Sequence, residues 1–329
     1  MKPWRVRACA PCWPNARISV SSSPGLGLLP QPESSSNKPK PGEDDTLTSG
    51  NIKIAVDETF RPIIEEELQV FHALNPEATI QPIYCSEVEA MNLLLKDSVR
   101  LAITTRQLTE KETKYFNEKK FYPTSVKIAT DGLALIANRQ NPDSLISTWQ
   151  FRDVLTGKIT DWKQLYSSSP LGKLELVFDN PNSSTVHYAI DSICGGKPLS
   201  STLKAQKTNR EVISYVAKHP DALGVIGVNW ITNDADTTRL SFNDSIRIMA
   251  VSRVESATVA NSFKPFQAYL ALNDYPLTRN VYILLNDPKS GLPSGLTSFI
   301  RDFRGQRIIL KSGLVPATAA LRIVDVKEE

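Results

Sequence analysis

Ile52-Lys-Ile-Ala-Val-Asp-Glu-Thr-Phe60 is the stretch whose reading sets the fold class of this chain. Ile52 to Val56 is a short apolar run of buried-strand type, and Asp57-Glu58-Thr59 is a polar turn. Behind the turn Ile64, Leu68 and Phe71, flanked by Ile63, Val70 and Leu74, recur at helical spacing. Thr59 is a candidate N-cap, Pro62 is tolerated in a first turn, and Asn75-Pro76 ends the helix. The unit then repeats. Thr79 to Tyr84 reads as a strand, and Ser86-Glu-Val-Glu89 has capping-box form ahead of Met91, Leu94 and Leu95. Leu101 to Thr105 is a third strand, and Thr109-Glu-Lys-Glu112 is a second capping box. Strands alternating with helices over short links predict a mostly parallel sheet covered on both faces.

The same texture continues downstream. Val126 to Ala129, a turn at Asp131-Gly132, and Leu133 to Ala137 predict strands leading into a second lobe. A helix is expected over Thr148 to Leu155, then a strand over Glu175 to Phe178 and the polar loop Asp179-Asn-Pro-Asn-Ser-Ser-Thr185. A helix into Ile190 and Ile193 follows, and another runs from Asn209 and stops before Pro220. Strands are expected at Leu223 to Gly227, Ile246 to Val251, Ala268 to Leu272 and Val281 to Leu285. A closing helix carries Leu296, Phe299, Ile300 and Phe303 and is stopped by Gly305.

Upstream the material changes. Residues 1–50 hold Pro3, Pro11, Pro14, Pro24, Pro30, Pro32, Pro39 and Pro41 with serine runs at 21–23 and 34–36, which predicts a disordered tail or linker. The first 30 residues lack the roughly 7–15 continuous apolar residues of a secretory signal. With 329 residues, 41% apolar and 22% charged, the chain suits one large or two medium soluble lobes. A net charge of +3 from 38 basic and 35 acidic residues, with no long block of one sign, argues against a nucleic-acid surface. No run reaches the roughly 18 apolar residues that span a bilayer. Cys9 and Cys12 have redox or half-zinc spacing but no second pair of ligands, and Cys85 and Cys194 fall in different predicted lobes, so no disulfide is expected. Only His72, His187 and His219 occur, so neither a metal site nor a cofactor is expected.

Three turns share a strand end that runs into a hydroxyl-rich helix start: Thr59-Phe60, Cys85-Ser86, and Asn182-Ser183-Ser184-Thr185. In an open α/β sheet ligands bind beyond the carboxyl ends of the strands, where these turns lie. A helix start offers unpaired N–H groups and partial positive charge, and hydroxyls add neutral donors. Each turn taken alone is equally an ordinary N-cap; three together point to an anion.

The order of motifs from Ile52 to Pro316 resembles the phosphate-specific substrate-binding family of ABC transporters. The resemblance is carried by Thr59-Phe60, Leu101-Ala-Ile-Thr-Thr-Arg-Gln-Leu108, Ala129-Thr-Asp-Gly-Leu-Ala-Leu-Ile-Ala-Asn138 and Phe151-Arg-Asp-Val-Leu-Thr-Gly-Lys-Ile-Thr-Asp-Trp162. Tyr275-Pro-Leu-Thr-Arg-Asn-Val-Tyr282 and Gly305-Gln-Arg-Ile-Ile-Leu-Lys-Ser-Gly-Leu-Val-Pro316 complete it. It implies a two-lobed α/β fold of the type 2 periplasmic-binding-protein kind, with a hinge and an interlobe ligand cleft. Residues 51–134 with 266–329 would form lobe 1 and 135–265 lobe 2. It also implies a monomer that captures a small oxyanion such as phosphate for a membrane permease. Such a protein would lie in the periplasm or cell envelope, with lipid anchoring as one form, and would have no catalytic role.

The implied ligand residues are Thr59, Phe60, Ser86, Arg106, Ser183, Ser184 and Thr185, with Asp57 beside them. The family places an arginine just ahead of a Ser-Gly-Thr segment; here Phe178-Asp-Asn-Pro-Asn182 stands there, and Ser184 replaces the glycine. Arg106 is therefore expected as the main fixed cation. Asp57 can accept the proton that monohydrogen phosphate carries and sulfate lacks, or can simply complement the following helix start together with Glu58. Three other readings stand beside this one. They are an enzyme using His187 or Cys85, the sensing domain of a regulator, and the same fold holding a different oxyanion or small organic acid in a sensory role.

Overall fold

The structure, a computed structural model, describes residues 7–8, 45–231, 244–320 and 323–324. Strand β1 (Gly50–Asp57) pairs in parallel with β2 (Ala78–Cys85) on one side and β3 (Leu101–Thr104) on the other. Helix α1 (Arg61–Leu74) links the first two strands and α2 (Glu87–Leu95) the second and third. α1 buries Ile63, Ile64, Leu68 and Phe71 on one face of this sheet, and α2 buries Ala90, Met91 and Leu94 on the other with Phe116 of α3 (Glu110–Glu118). The helical spacing read from the sequence thus places each apolar stripe on its own side of the sheet.

β4 (Thr124–Asn138) is one strand of fifteen residues, where a turn at Asp131-Gly132 was expected between two strands. The Asp131 carboxylate does not close a turn because Arg279 on a neighbouring strand takes it. Gly132 serves close packing: a Cβ there would press on the side chains of Leu270 and Val228. The pairing of β4 changes along its length. Thr124 to Gly132 pairs with β8 (Thr278–Leu285), whose other edge carries β3. Leu133 to Ala137 pairs with β6 (Ala222–Gly227), and Ile136 to Asn138 pairs with β7 (Ile246–Ile248). β5 (Glu175–Phe178) lies parallel to β6 and extends this second sheet. α4 (Thr148–Leu155) covers one face with Phe151, Val154 and Leu155, and α6 (Asn209–Lys218) covers the other with Val212 and Val216. Between β5 and α6 lies the short helix α5 (Ser184–Tyr188).

Elsewhere the structure corrects local expectations. Ala268 to Leu272 is not a strand; Gln267–Ala271 forms a helix with Leu270 alone buried, a one-sided pattern that a helix satisfies. The run Ile246 to Val251 breaks at Met249, after which Ala250–Ser252 leaves β4 to pair with Leu145–Ser147. The closing helix is two, α7 (Leu292–Arg301) and α8 (Phe303–Lys311), parted at Asp302. Gly305 lies inside α8 and stops nothing; its missing Cβ lets α8 approach the backbone of Phe299 and Ile300. Cys85 and Cys194 are free thiols. Cys9 and Cys12 lie outside the described residues. No helix among the described residues is long and apolar enough to cross a membrane.

The segment from Asp45 is strapped onto the start of α7. Asp45 Oδ2 accepts from Arg100 Nη2 at 2.7 Å and from the Leu292 amide at 2.6 Å, and Arg100 Nη1 reaches Asp287 Oδ1 at 2.9 Å. Leu47 then crosses so close to Gly295 that an added Cβ would overlap the Leu47 carbonyl. Because the obstacle is backbone, Gly295→Ala is expected to lift the strap and cost about 1–3 kcal/mol. Gly172→Ala, where a Cβ meets nothing, should not. Thermal melts of the two variants check this, and equal melting temperatures would show the strap to be loose.

Candidate functional site

Arg279 is the pivot of the site. Along β8 the buried positions Arg279, Val281 and Ile283 alternate, so a guanidinium stands in the row that faces the core. Its cross-strand partner on β4 is Asp131, and Arg279 Nε donates to Asp131 Oδ2 at 2.9 Å. Arg279 Nη1 donates to Ser184 Oγ at 3.0 Å, and the guanidinium lies 5.6 Å from the centre of the Phe60 ring. Nη2 has no partner among the described residues.

Residues from the two sheets meet around this group. Asp57, at the end of β1, accepts from the Thr59 amide at 2.9 Å. The Thr59 carbonyl accepts from Asn229 Nδ2 and Trp230 Nε1, each at 2.7 Å, so the first turn is held from the opposite side through its backbone. Asn209 Nδ2 donates to Glu58 Oε2 at 2.9 Å and to Asp179 Oδ2 at 3.2 Å. His187 Nδ1 lies 3.0 Å from Glu87 Oε2, while Glu87 Oε1 accepts the Thr105 amide and hydroxyl at 2.7 Å.

The site is rich in buried acid. Burial and then the nearby Glu87 charge hold the Asp57 carboxyl above its ordinary range, against the pull of Arg279. Burial raises Asp131 likewise, opposed by Arg279. Asp179 is pushed up to about 7 by burial, although the Ser183 hydroxyl donates to it at 2.6 Å. Glu87 goes the other way: against the penalty of burial, donation from His187 and Thr105 holds it low, and the same bond raises His187.

The expected ligand residues are placed unevenly. Asp57, Thr59, Phe60 and Ser184 stand around Arg279, and the hydroxyl of Thr59 is buried without a partner. Ser183 caps α5 by accepting from the Val186 amide, and its hydroxyl is directed to Asp179. Thr185 is directed to the other Asp179 oxygen at 3.4 Å. Ser86 caps α2, accepting from the Glu89 amide at 3.3 Å. Arg106 has a local partner. Both of its terminal nitrogens are held by Glu112 at 2.8 Å, because the glutamate that closes the capping box of α3 also faces the end of β3. The fixed buried cation is Arg279 instead. Sequence reasoning quoted its motif but passed over it, along with Asp131, Asp179, Asn209 and Asn229. The usable signal was parity: Arg279 occupies a core-facing position of an alternating strand, where a charge needs a reason.

A family model described as a PBP superfamily domain matches residues 41–302. The chain belongs to that family. Among its relatives is the phosphate-binding protein PstS of Pseudomonas aeruginosa, 22% identical over 85% of this chain and 87% of that protein. PstS of Borreliella burgdorferi is 23% identical over 80% of this chain and 89% of its own length. The structure of an ABC-type phosphate transport receptor from Vibrio cholerae superposes with a TM-score of 0.63 at 20% identity, covering 82% of this chain and all of that one. PfluDING, a high-affinity periplasmic phosphate-binding protein solved with phosphate, gives 0.63 at 12% identity over 81% and 90%. The fold is thus the two-lobed α/β fold of the family, with β4 common to both sheets.

The raised Asp179 carboxyl makes a pH prediction. Between its ordinary value of 3.8 and about 7 the folded chain binds a proton that the unfolded chain has released. Stability contributed by this group is therefore full at low pH and lost as pH rises to about 7 and beyond. Asp179→Asn is expected to flatten that part of the profile by roughly 1–4 kcal/mol. Urea unfolding of parent and variant at pH 5 and pH 8 checks it; parallel profiles would mean Asp179 titrates normally.

Proposed function

We propose that this protein is an extracytoplasmic receptor that captures a small oxyanion, phosphate foremost, between its lobes and delivers it to an ABC-transporter permease. The observation that carries the reading is Arg279. It is a buried guanidinium braced by Asp131 and Ser184, with Nη2 uncommitted; it lies over the ring of Phe60, whose neighbour Thr59 has an equally uncommitted hydroxyl. A guanidinium so braced offers a directed N–H to an oxyanion at little further cost in ordering. The relatives' names supply the ligand and the transport role.

On this reading residues 51–134 with 266–329 form lobe 1 and 135–265 lobe 2, and β4 and β8 are the crossing where they hinge. Thr59, Phe60, Asp57 and Ser184 line the ligand with Arg279, while Ser86, Ser183 and Thr185 shape the helix starts around it. Arg106 braces α3. The protein works as a monomer in the periplasm or cell envelope, with a lipid-anchored form as one version of it. It binds rather than catalyses. Burial pushes the Cys85 thiol up to about 12, too high for a nucleophile at neutral pH, and His187 is engaged by Glu87. The excess of buried carboxyls supports a second ligand class on the same fold, a small organic acid or another oxyanion that carries its own donors.

Titration calorimetry with phosphate, sulfate and dicarboxylates checks the reading. Phosphate is expected to bind at micromolar affinity or tighter. Arg279→Lys should weaken it on the order of a hundredfold, since a charged hydrogen bond is worth roughly 1.5–3 kcal/mol. Arg106→Ala should bind within about threefold of the parent, because its charge is already spent on Glu112. The reverse ranking would place the site at Arg106.

A further inference from the structure

Side-chain contacts join elements of the first sheet to elements of the second around the site. Asn229 and Trp230 donate to the Thr59 carbonyl, Arg279 donates to Ser184, Asn209 donates to Glu58, and Glu87 meets His187. Of these, only the last pairs two groups that can both ionise. Glu87 is the first residue of α2, and its side chain is 1% exposed; His187 lies in α5, and its side chain is 30% exposed. One partner is sealed and the other is open to protons from solvent.

Glu87 is an anchored anion. Its Oε1 accepts the Thr105 amide and hydroxyl, each at 2.7 Å, and Thr105 belongs to the same side of the site, at the end of β3. That leaves Oε2 for His187 Nδ1 at 3.0 Å. Burial would push the Glu87 carboxyl up, but donation from His187 and Thr105 holds it below its ordinary range. The other charged groups around the pair come from several elements. Asp191, four residues past His187, favours the imidazolium, and Arg106 at the end of β3 opposes it, with its own guanidinium held by Glu112. Asp57 and Arg279 face Glu87 from β1 and β8.

Resting on the reading of an oxyanion receptor whose cleft opens and closes, we infer that Glu87 and His187 form a proton-operated latch: protonated His187 holds the α5 side of the cleft against α2, and loss of that proton loosens the hold on the ligand. A neutral ring still donates through one nitrogen, so the link weakens without vanishing. The bond to Glu87 holds His187 above its ordinary 6.5, against the penalty of partial burial. Opening the cleft removes Glu87 and returns His187 toward that ordinary value. The contribution of the latch to closure is therefore full below 6.5 and is lost as pH rises through the raised value of the closed form.

The test is titration calorimetry of the full chain with inorganic phosphate at about pH 5.5 and pH 8.5, for the parent and for His187→Asn. The asparagine amide sets a permanently neutral donor where Nδ1 stands. Phosphate, Asp179 and the other carboxyls of the site titrate in both proteins, so the ratio of the two affinities isolates His187. The variant is expected to bind within about twofold of the parent at the higher pH and roughly three- to tenfold more weakly at the lower, the scale of a partly exposed charged hydrogen bond. A ratio that stays the same at both pH values would overturn the latch and leave the receptor reading intact. A second readout needs no variant: NMR of the histidine rings in the phosphate-bound parent, with His72 and His219 as the other two signals. His187 is expected to titrate above 6.5, and titration at or below 6.5 would also overturn the latch. Phosphate that binds neither protein at either pH would sink the receptor reading and the latch together.

Discussion

A guanidinium buried between two sheets has to be paired, and the pairing of Arg279 with Asp131 is the constraint on which the rest of this site depends. The two residues are direct cross-strand partners on β8 and β4, so their contact is fixed by sheet register and not by loop conformation. Buried ion pairs contribute little net stability, because desolvation cancels most of their attraction. Their value is positional. Asp131 takes Nε and Ser184 takes Nη1, which leaves Nη2 aimed and unspent. The partners of β4 change immediately after this pair, between Gly132 and Leu133, so the cation stands where the two sheets part.

The turn at Thr59 divides its labour in a complementary way. Its carbonyl is held by Asn229 and Trp230, and its amide by Asp57. Backbone groups satisfy the packing between the sheets, and the hydroxyl remains for other use. Glu58 with Asn209 and Glu87 with His187 add two further side-chain links between the same halves. Buried polar atoms of this network that lack a partner among the described residues, Thr59 Oγ1 and Arg279 Nη2 among them, raise the cost of burying it.

Most of the first sheet was legible in the sequence, because its strands and helices are short, alternate cleanly and carry capping signals such as Thr109 with Glu112. The misreadings arose where one residue serves two masters. Asp131-Gly132 has turn chemistry, but the aspartate is spent on Arg279 and the glycine on Leu270 and Val228. Gly305 has the composition of a helix stop, yet it admits a neighbouring helix. Arg106 sits at the proper strand end, and only the geometry of α3 shows that Glu112, a local partner six residues on, has claimed it. The half-buried Arg106 has a local partner for both terminal nitrogens, whereas core-facing parity along β8 is what marks Arg279 as a buried cation.

Asp179 is the acid that sets the loop ahead of α5 apart. It lies just ahead of Ser183, in the segment where the phosphate-specific family places an arginine, and it draws both the Ser183 and Thr185 hydroxyl protons toward itself. The loop carries an acid where the phosphate-specific pattern carries a cation, and the buried guanidinium of this chain stands on β8, beside the strand common to both sheets. Sheet register sets its place, and its two partners lie on different elements, Asp131 on β4 and Ser184 on α5. One side chain thus ties the strand register to the start of a helix, so a shift of either element would break a buried polar contact, which is costlier than losing an exposed one.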